Sequence, residues 1–138
     1  MSRTLIIVKP DATAAGNAGA ILSVFEQAGL RIAALRLARL SKEEAKAFYI
    51  VHKERPFYDS LTTFMSSGTC IPAVLEGEDI VRRVRDLMGA TNPAQAAEGT
   101  IRKRYATNIE RNAVHGSDSP ESAAYEIGFF FSGRELLR

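Results

Sequence analysis

His115 is one of two histidines in the chain and stands in the run Arg111-Asn112-Ala113-Val114-His115-Gly116-Ser117-Asp118. Imidazole is the one side chain whose ordinary pKa lies near neutrality, so it can be a nucleophile without first losing a strongly held proton. Gly116 lets the backbone turn or a ligand come close, and Ser117 and Asp118 can orient a ring or open a helix. A strand end beside an ordinary turn would use the same residues for structure alone. Lys9 follows an apolar run, and Arg82, Arg83, Arg85, Arg102, Lys103, Arg104 and Arg111 crowd into one third of the chain. Such a run is usually solvated surface, but it can also meet an anion. Guanidinium offers phosphate oxygens a fork of donors, lysine adds a compact charge, and a histidine among them could take a phosphoryl group itself.

Other chemistries lack their residues. There is no Gly-x-x-x-x-Gly-Lys-Ser/Thr loop, no Gly-x-Gly-x-x-Gly and no Gly-x-Ser-x-Gly elbow. Two histidines are too few for a histidine-rich zinc site, and Cys70, the only cysteine, argues against a disulfide or a thiolate cage. No apolar run approaches the roughly 20 residues that span a bilayer. Met1 to Leu5 does not read as a signal peptide, so a cytoplasmic protein is expected. A net charge of +2 is too small to imply nucleic acid binding, which is not expected. With 138 residues, 46% of them hydrophobic and 25% charged, the chain fits one domain over residues 1–138.

The elements that must position these groups follow from periodicity. Thr4 to Val8 reads as a buried central strand that delivers Lys9 at its C-terminal end. Asn17 offers an N-cap, and Ile21, Leu22, Phe25 and Ala28 recur at helical spacing before Gly29. Ile32, Leu35 and Leu37 suggest a strand between Gly29 and Ser41, although periodicity alone leaves helix open. Ser41 and Glu44 form a capping box ahead of Ala45, Phe48, Tyr49 and His52 on one helical face. Pro56 breaks that helix, and a short one runs from Phe57 through Leu61 toward Gly68. Cys70 to Glu76 looks like a strand in which Pro72 is better placed at an edge or bulge. Ile80, Val84, Leu87 and Met88 mark a helix closed by Gly89. From Ala90 to Asn112 the pattern is lost, apart from one turn near Ala94, and a structureless loop that long is often functional. After a strand at the octapeptide, Ser119-Pro120 starts a helix whose Ala123, Ile127 and Phe130 face inward, with Glu126 on the flank. Four strands interleaved with helices suit a ferredoxin-like α/β sandwich of the α+β class, a four-stranded antiparallel sheet with helices packed on one face. A small parallel doubly wound sheet is the rival.

Five blocks of the sequence resemble the nucleoside diphosphate kinase family across almost the whole chain. They are Thr4 to Asp11, His52 to Phe57, Gly89 to Ala94, Gly99 to Arg102 and Arg111 to Asp118, with Glu121-Ser122-Ala123 and Glu126-Ile127 following at the family's spacing. Asn-x-x-His-Gly-Ser-Asp is a highly specific signature. The resemblance implies ping-pong transfer of the γ-phosphoryl group of a nucleoside triphosphate, chiefly ATP, through Nδ1 of His115 to a nucleoside diphosphate. It implies that Glu126 accepts a hydrogen bond from the other ring nitrogen, supported by Ser117, with Tyr49 near the histidine. Arg85, Thr91 and Arg102 would hold the phosphates, and Lys9 and Asn112 the ribose hydroxyls. Phe57 and Ile109 would sandwich the base with Leu61 beside them, a contact that reads no base edge. Mg2+ would be held mainly by the β- and γ-phosphates, with no protein metal site.

Some positions depart from the family's pattern. Thr13 to Ala18 is smaller and less charged than usual, Pro72 replaces a β-branched residue, and Lys103-Arg104 brings two positive charges where an acidic residue is common. The chain ends at Arg138 without the longer tails of hexameric members, which favours a dimer-based homo-oligomer, a tetramer over a hexamer. The rival function is a catalytically idle nucleotide- or RNA-binding module on the same fold.

Overall fold

A computed structural model describes residues 2–136, so the bounds expected at Met1 and Arg138 lie outside the described residues. Strand β1 (Ser2–Val8) leads into a short helix α1 (Pro10–Ala14), with Pro10 opening it, and then α2 (Ala18–Gln27). Gly29, at φ +89°, ends α2 and turns the chain into β2 (Arg31–Leu35) and the two-residue β3 (Ala38–Arg39). Helix α3 (Lys42–Phe48) starts at the Ser41–Glu44 capping box, and α4 (Tyr58–Met65) follows a 3₁₀ turn at Ile50–His52. Then come β4 (Thr69–Gly77), α5 (Ile80–Met88), α6 (Ile101–Tyr105), β5 (Val114–Gly116) and α7 (Pro120–Phe130).

The main strands lie in the order β2-β4-β1-β5 with every neighbouring pair antiparallel, and β3 extends the partner edge of β4. Insertion of β4 between β1 and β2 is the split arrangement of the ferredoxin-like sandwich. Alternate residues of β1 enter two different cores. Ile6 and Val8 meet Phe25 of α2 and Val84 and Met88 of α5. Leu5 and Ile7 meet Phe48 of α3, Met65 of α4 and Phe130 of α7. Helices therefore cover both faces, a second layer added to the one-sided plan. That is why β1 reads as an unbroken apolar run, since a strand buried on both sides needs no polar alternation.

Three local expectations are corrected. Pro72 sits in a central strand, opposite Ile7, and not at an edge or bulge. Its carbonyl accepts from the Arg36 amide on the β2 side, so its missing N–H faces the same side, where β2 has ended and β3 has not begun. No ladder bond to β1 is lost there. The stretch 31–40 is two strands with a break, not one. The segment 90–112 is not structureless: it holds a 3₁₀ turn at Pro93–Gln95 and helix α6, whose cap is the Thr100 hydroxyl accepting from the Lys103 amide.

Candidate active site

Register puts the two ends of the site together. Ile7 pairs with His115, so His115 projects toward the layer of α3 and α7 and meets Phe48 and Tyr49 edge-on, with ring centroids 5.3 and 5.7 Å away. Nearly two turns past its start, α7 brings Glu126 to the ring, with Oε1 2.7 Å from Nε2. The buried Ser117 hydroxyl donates to the same oxygen at 2.7 Å. A carboxylate only accepts, so Nε2 carries the proton; in the neutral ring Nδ1 then keeps a free lone pair. Gly116 leaves room for Met88 of α5: a Cβ there would lie 2.5 Å from the Met88 sulfur and would have to displace that side chain.

Two arginines brace the strand that carries the histidine. Arg102 is buried; it donates 2.8 Å to the Val114 carbonyl and 3.1 Å to that of Gly89, while its Nε has no partner. Arg85 donates 3.1 Å to the Gly116 carbonyl. The two guanidiniums thus hold the carbonyls on either side of His115, on the outer edge of β5. Burial first, and the neighbouring Arg85 second, push the Arg102 pKa down to about 10. An anion in reach of both would relieve that repulsion.

The other end is built on the close of β1. Lys9 is buried and donates 2.8 Å to Asn112 Oδ1, and Asn112 in turn donates 3.1 Å to the Thr91 carbonyl. Burial, followed by repulsion from Arg102, lowers the Lys9 pKa to about 8, with Asp11 and Glu110 opposing. Between Asn112 and His115 the backbone is strained: Ala113 has φ +75°, and the Val114 amide closes a γ-turn on the Asn112 carbonyl at 2.9 Å. A non-glycine residue held there costs about 1–3 kcal/mol.

One cavity of about 790 Å³ is lined by Lys9, Tyr49, Phe57, Leu61, Arg85, Thr91, Arg102, Ile109, Asn112, His115 and Glu126, and Ser117 lies beneath it. Phe57 and Ile109 are exposed at its mouth. The Ser60 hydroxyl of α4 donates 2.6 Å to the Glu110 carboxylate, tying the segments that carry them. The Tyr49 hydroxyl is buried without a partner, and burial raises its pKa. The sequence singled out no site role for three further lining residues, His52, Glu110 and Glu121. His52 stacks on Tyr49 with centroids 6.3 Å apart and tilts against Phe57 at 5.4 Å. Its place three residues after Tyr49, within the His52–Phe57 block, is the signal that could have found it. Among the described residues no group of three or more His, Cys, Asp or Glu side chains is placed to hold a metal ion. Among them, too, no helix is long and apolar enough to cross a membrane.

Known proteins share this arrangement of chain. The nucleoside diphosphate kinase family profile matches residues 2–136. A nucleoside diphosphate kinase of Rhodospirillum centenum is 59% identical over 137 residues, which is 99% of this chain and 98% of that protein. The Aquifex aeolicus nucleoside diphosphate kinase superposes with a TM-score of 0.97 at 52% identity, covering 98% of each chain. A halophilic enzyme of that kind from Halobacterium salinarum, solved in complex with CDP, superposes with a TM-score of 0.95 at 39% identity, covering 99% of this chain and 91% of its own.

Proposed function

The chain belongs to the nucleoside diphosphate kinase family, and on that premise we propose how its own residues carry a phosphate between nucleotides. The protein is a phosphotransferase acting on nucleotides. In our reading Nδ1 of His115 attacks the γ-phosphorus of a bound nucleoside triphosphate, chiefly ATP. The bond from that phosphorus to the β-γ bridging oxygen breaks, and the nucleoside diphosphate leaves. A second nucleoside diphosphate then attacks the phosphohistidine and leaves as a triphosphate, which balances the NTP and dNTP pools. The observation that carries this reading is the His115–Glu126 contact, because it occupies Nε2 and leaves Nδ1 as the nucleophile. Glu126 also stabilises the positive charge the ring gains when phosphorylated, and Ser117 keeps the carboxylate in place.

Positioning and electrostatics supply the rest, as expected for phosphoryl transfer. Arg85, Arg102 and Thr91 receive the phosphates, Lys9 and Asn112 the ribose hydroxyls, and Tyr49 abuts the reacting ring. Phe57 and Ile109 close on the base beside Leu61. Kinases of this family use a divalent metal, and we take it to be Mg2+ held mainly by the β- and γ-phosphates. The fit is supported by Asp118 and Glu121, whose carboxylates line the same cavity and offer hard oxygen donors through water. When bound, the ion supplies charge neutralisation to the phosphates. We also read residues 1–138 as one catalytic domain working in the cytoplasm. We further propose a dimer-based homo-oligomer, a tetramer before a hexamer; self-association is supported by the edge strand β2, where Leu35 is exposed, and by Leu37, exposed in the break that follows it.

Brief exposure to γ-labelled ATP with Mg2+ should leave an acid-labile label on the protein, chased off by any nucleoside diphosphate. The variant His115→Ala should take up label only at background. Full transfer by that variant would sink the assignment. An idle binding module, which the family match does not favour, would bind ADP and never be labelled.

A further inference from the structure

Asp11 is a buried-site carboxylate with no part in the chemistry above. It stands second in α1, directly after the Lys9-Pro10 pair that closes β1. Its Oδ2 accepts the Ala113 amide at 3.1 Å, and the Lys9 amide donates to the Ala113 carbonyl at 2.9 Å. Both polar groups of the one strained residue between Asn112 and His115 are therefore gripped by the same short turn. Ala113 itself is fully buried, so its amide has no water to turn to. The second carboxylate oxygen, Oδ1, is buried without a partner, and burial outweighs the Ala113 bond in raising the Asp11 pKa. The Lys9 charge and the amides of Asp11 and Ala12 also favour the carboxylate, but its one well-formed hydrogen bond is the one to Ala113.

We propose that Asp11 is a positioning residue for phosphoryl transfer: by accepting the Ala113 amide it holds the γ-turn that sets Asn112 and His115 in register with Lys9. Without that acceptor a buried N–H is orphaned, and Ala113 relaxes toward the negative φ that its Cβ prefers. Asn112 and His115 then rotate relative to one another, and the substrate held by one no longer meets the other. The proposal rests on the reading that His115 takes the phosphoryl group. Its rival is a counter-charge role, since Asp11 also opposes the lowering of the Lys9 pKa.

Two variants separate position from charge. Asp11→Asn keeps an acceptor in place and loses the charge, whereas Asp11→Glu keeps the charge and moves the acceptor by a methylene. Rapid-quench labelling with γ-labelled ATP and Mg2+, well below each variant's measured Tm, gives the rate of His115 phosphorylation. We expect Asp11→Asn within about threefold of the unaltered protein and Asp11→Glu slowed roughly tenfold or more, since a misplacement near 1 Å can cost up to about a hundredfold. If Asp11→Glu does not fold, Asp11→Ala removes the acceptor without adding bulk and must be equally slow. A fast Glu variant with a slow Asn variant would overturn the proposal in favour of counter-charge. A lowered Tm with unchanged rates would reduce Asp11 to a structural residue. Absence of label on the unaltered protein would instead remove the reading of His115, and the proposal with it.

Discussion

Lys9 shows how one buried side chain can tie binding and stability to pH in opposite senses. Its pKa is lowered from 10.5 to about 8, by burial first and by Arg102 second. Below pH 8 the folded protein carries the ammonium; between pH 8 and 10.5 it carries the amine while the unfolded chain still holds the proton. The unfolded state then binds more protons, so this group's contribution to stability is recovered as pH rises through that window and lost as pH falls back through 8. In the proposed reading, where Lys9 holds the ribose, substrate binding runs the other way, because an amine is a weaker donor to the nucleotide than an ammonium. We expect kcat/KM to fall on the order of tenfold along a limb near pH 8, reporting the free enzyme. Thermal unfolding of the same samples should show no matching loss. A flat kcat/KM from pH 7 to 9 would contradict this. The sequence placed Lys9 at a strand end but could not say that it is buried against Arg102. That follows only once α6 folds over the end of β5. Likewise His115 and Glu126 lie on a strand and a helix with no periodic relation, and only the family signature paired them.

At the scale of elements, the legible ones were those long enough to carry a period or a cap. Helix α3 announced itself through Ser41 and Glu44, and β1 through its unbroken apolar run. Helix α6 has five residues and shows no period, so its only local sign was Thr100 ahead of Ile101. Yet α6 carries Arg102, and its placement decides where a guanidinium meets the cavity. Thr100→Ala should cost about 1 kcal/mol through the lost cap, lowering Tm by a few degrees. It should also raise KM for nucleotide severalfold by loosening Arg102, with kcat less affected. Thermal melts and initial rates check both, and an unchanged KM would mean that Arg102 is held by its carbonyl bonds alone. Pro72 teaches the converse. The rule that keeps proline out of central strands concerns a lost donor, and here the donor side faces the break between β2 and β3.

At the scale of the molecule, β1 joins two cores and ends at the site. Ile7 is fully buried in the core of α3, α4 and α7 and pairs directly with His115. Ile7→Ala should cost about 2–5 kcal/mol in denaturant unfolding and slow transfer as well, because the cavity opens under the histidine. Stability loss with full activity at a temperature where the variant is folded would count against that coupling. The antiparallel sandwich was legible from the order of elements, whereas the second helical layer was not, since no local pattern says which face a helix will cover. The sheet has two open ends, and they are treated differently. At the β2 end Leu35 is exposed, and so is Leu37 in the break before β3. On β5 the outward carbonyls of Val114 and Gly116 are taken by Arg102 and Arg85. Those guanidiniums each have five donors, enough to cap a carbonyl and still face an anion. A lysine in either place could reach one duty or the other, but not both in a fixed geometry. Replacing them to tune nucleotide affinity would therefore unmask a bare strand margin, and the penalty would surface as self-association of the protein as well as in its kinetics.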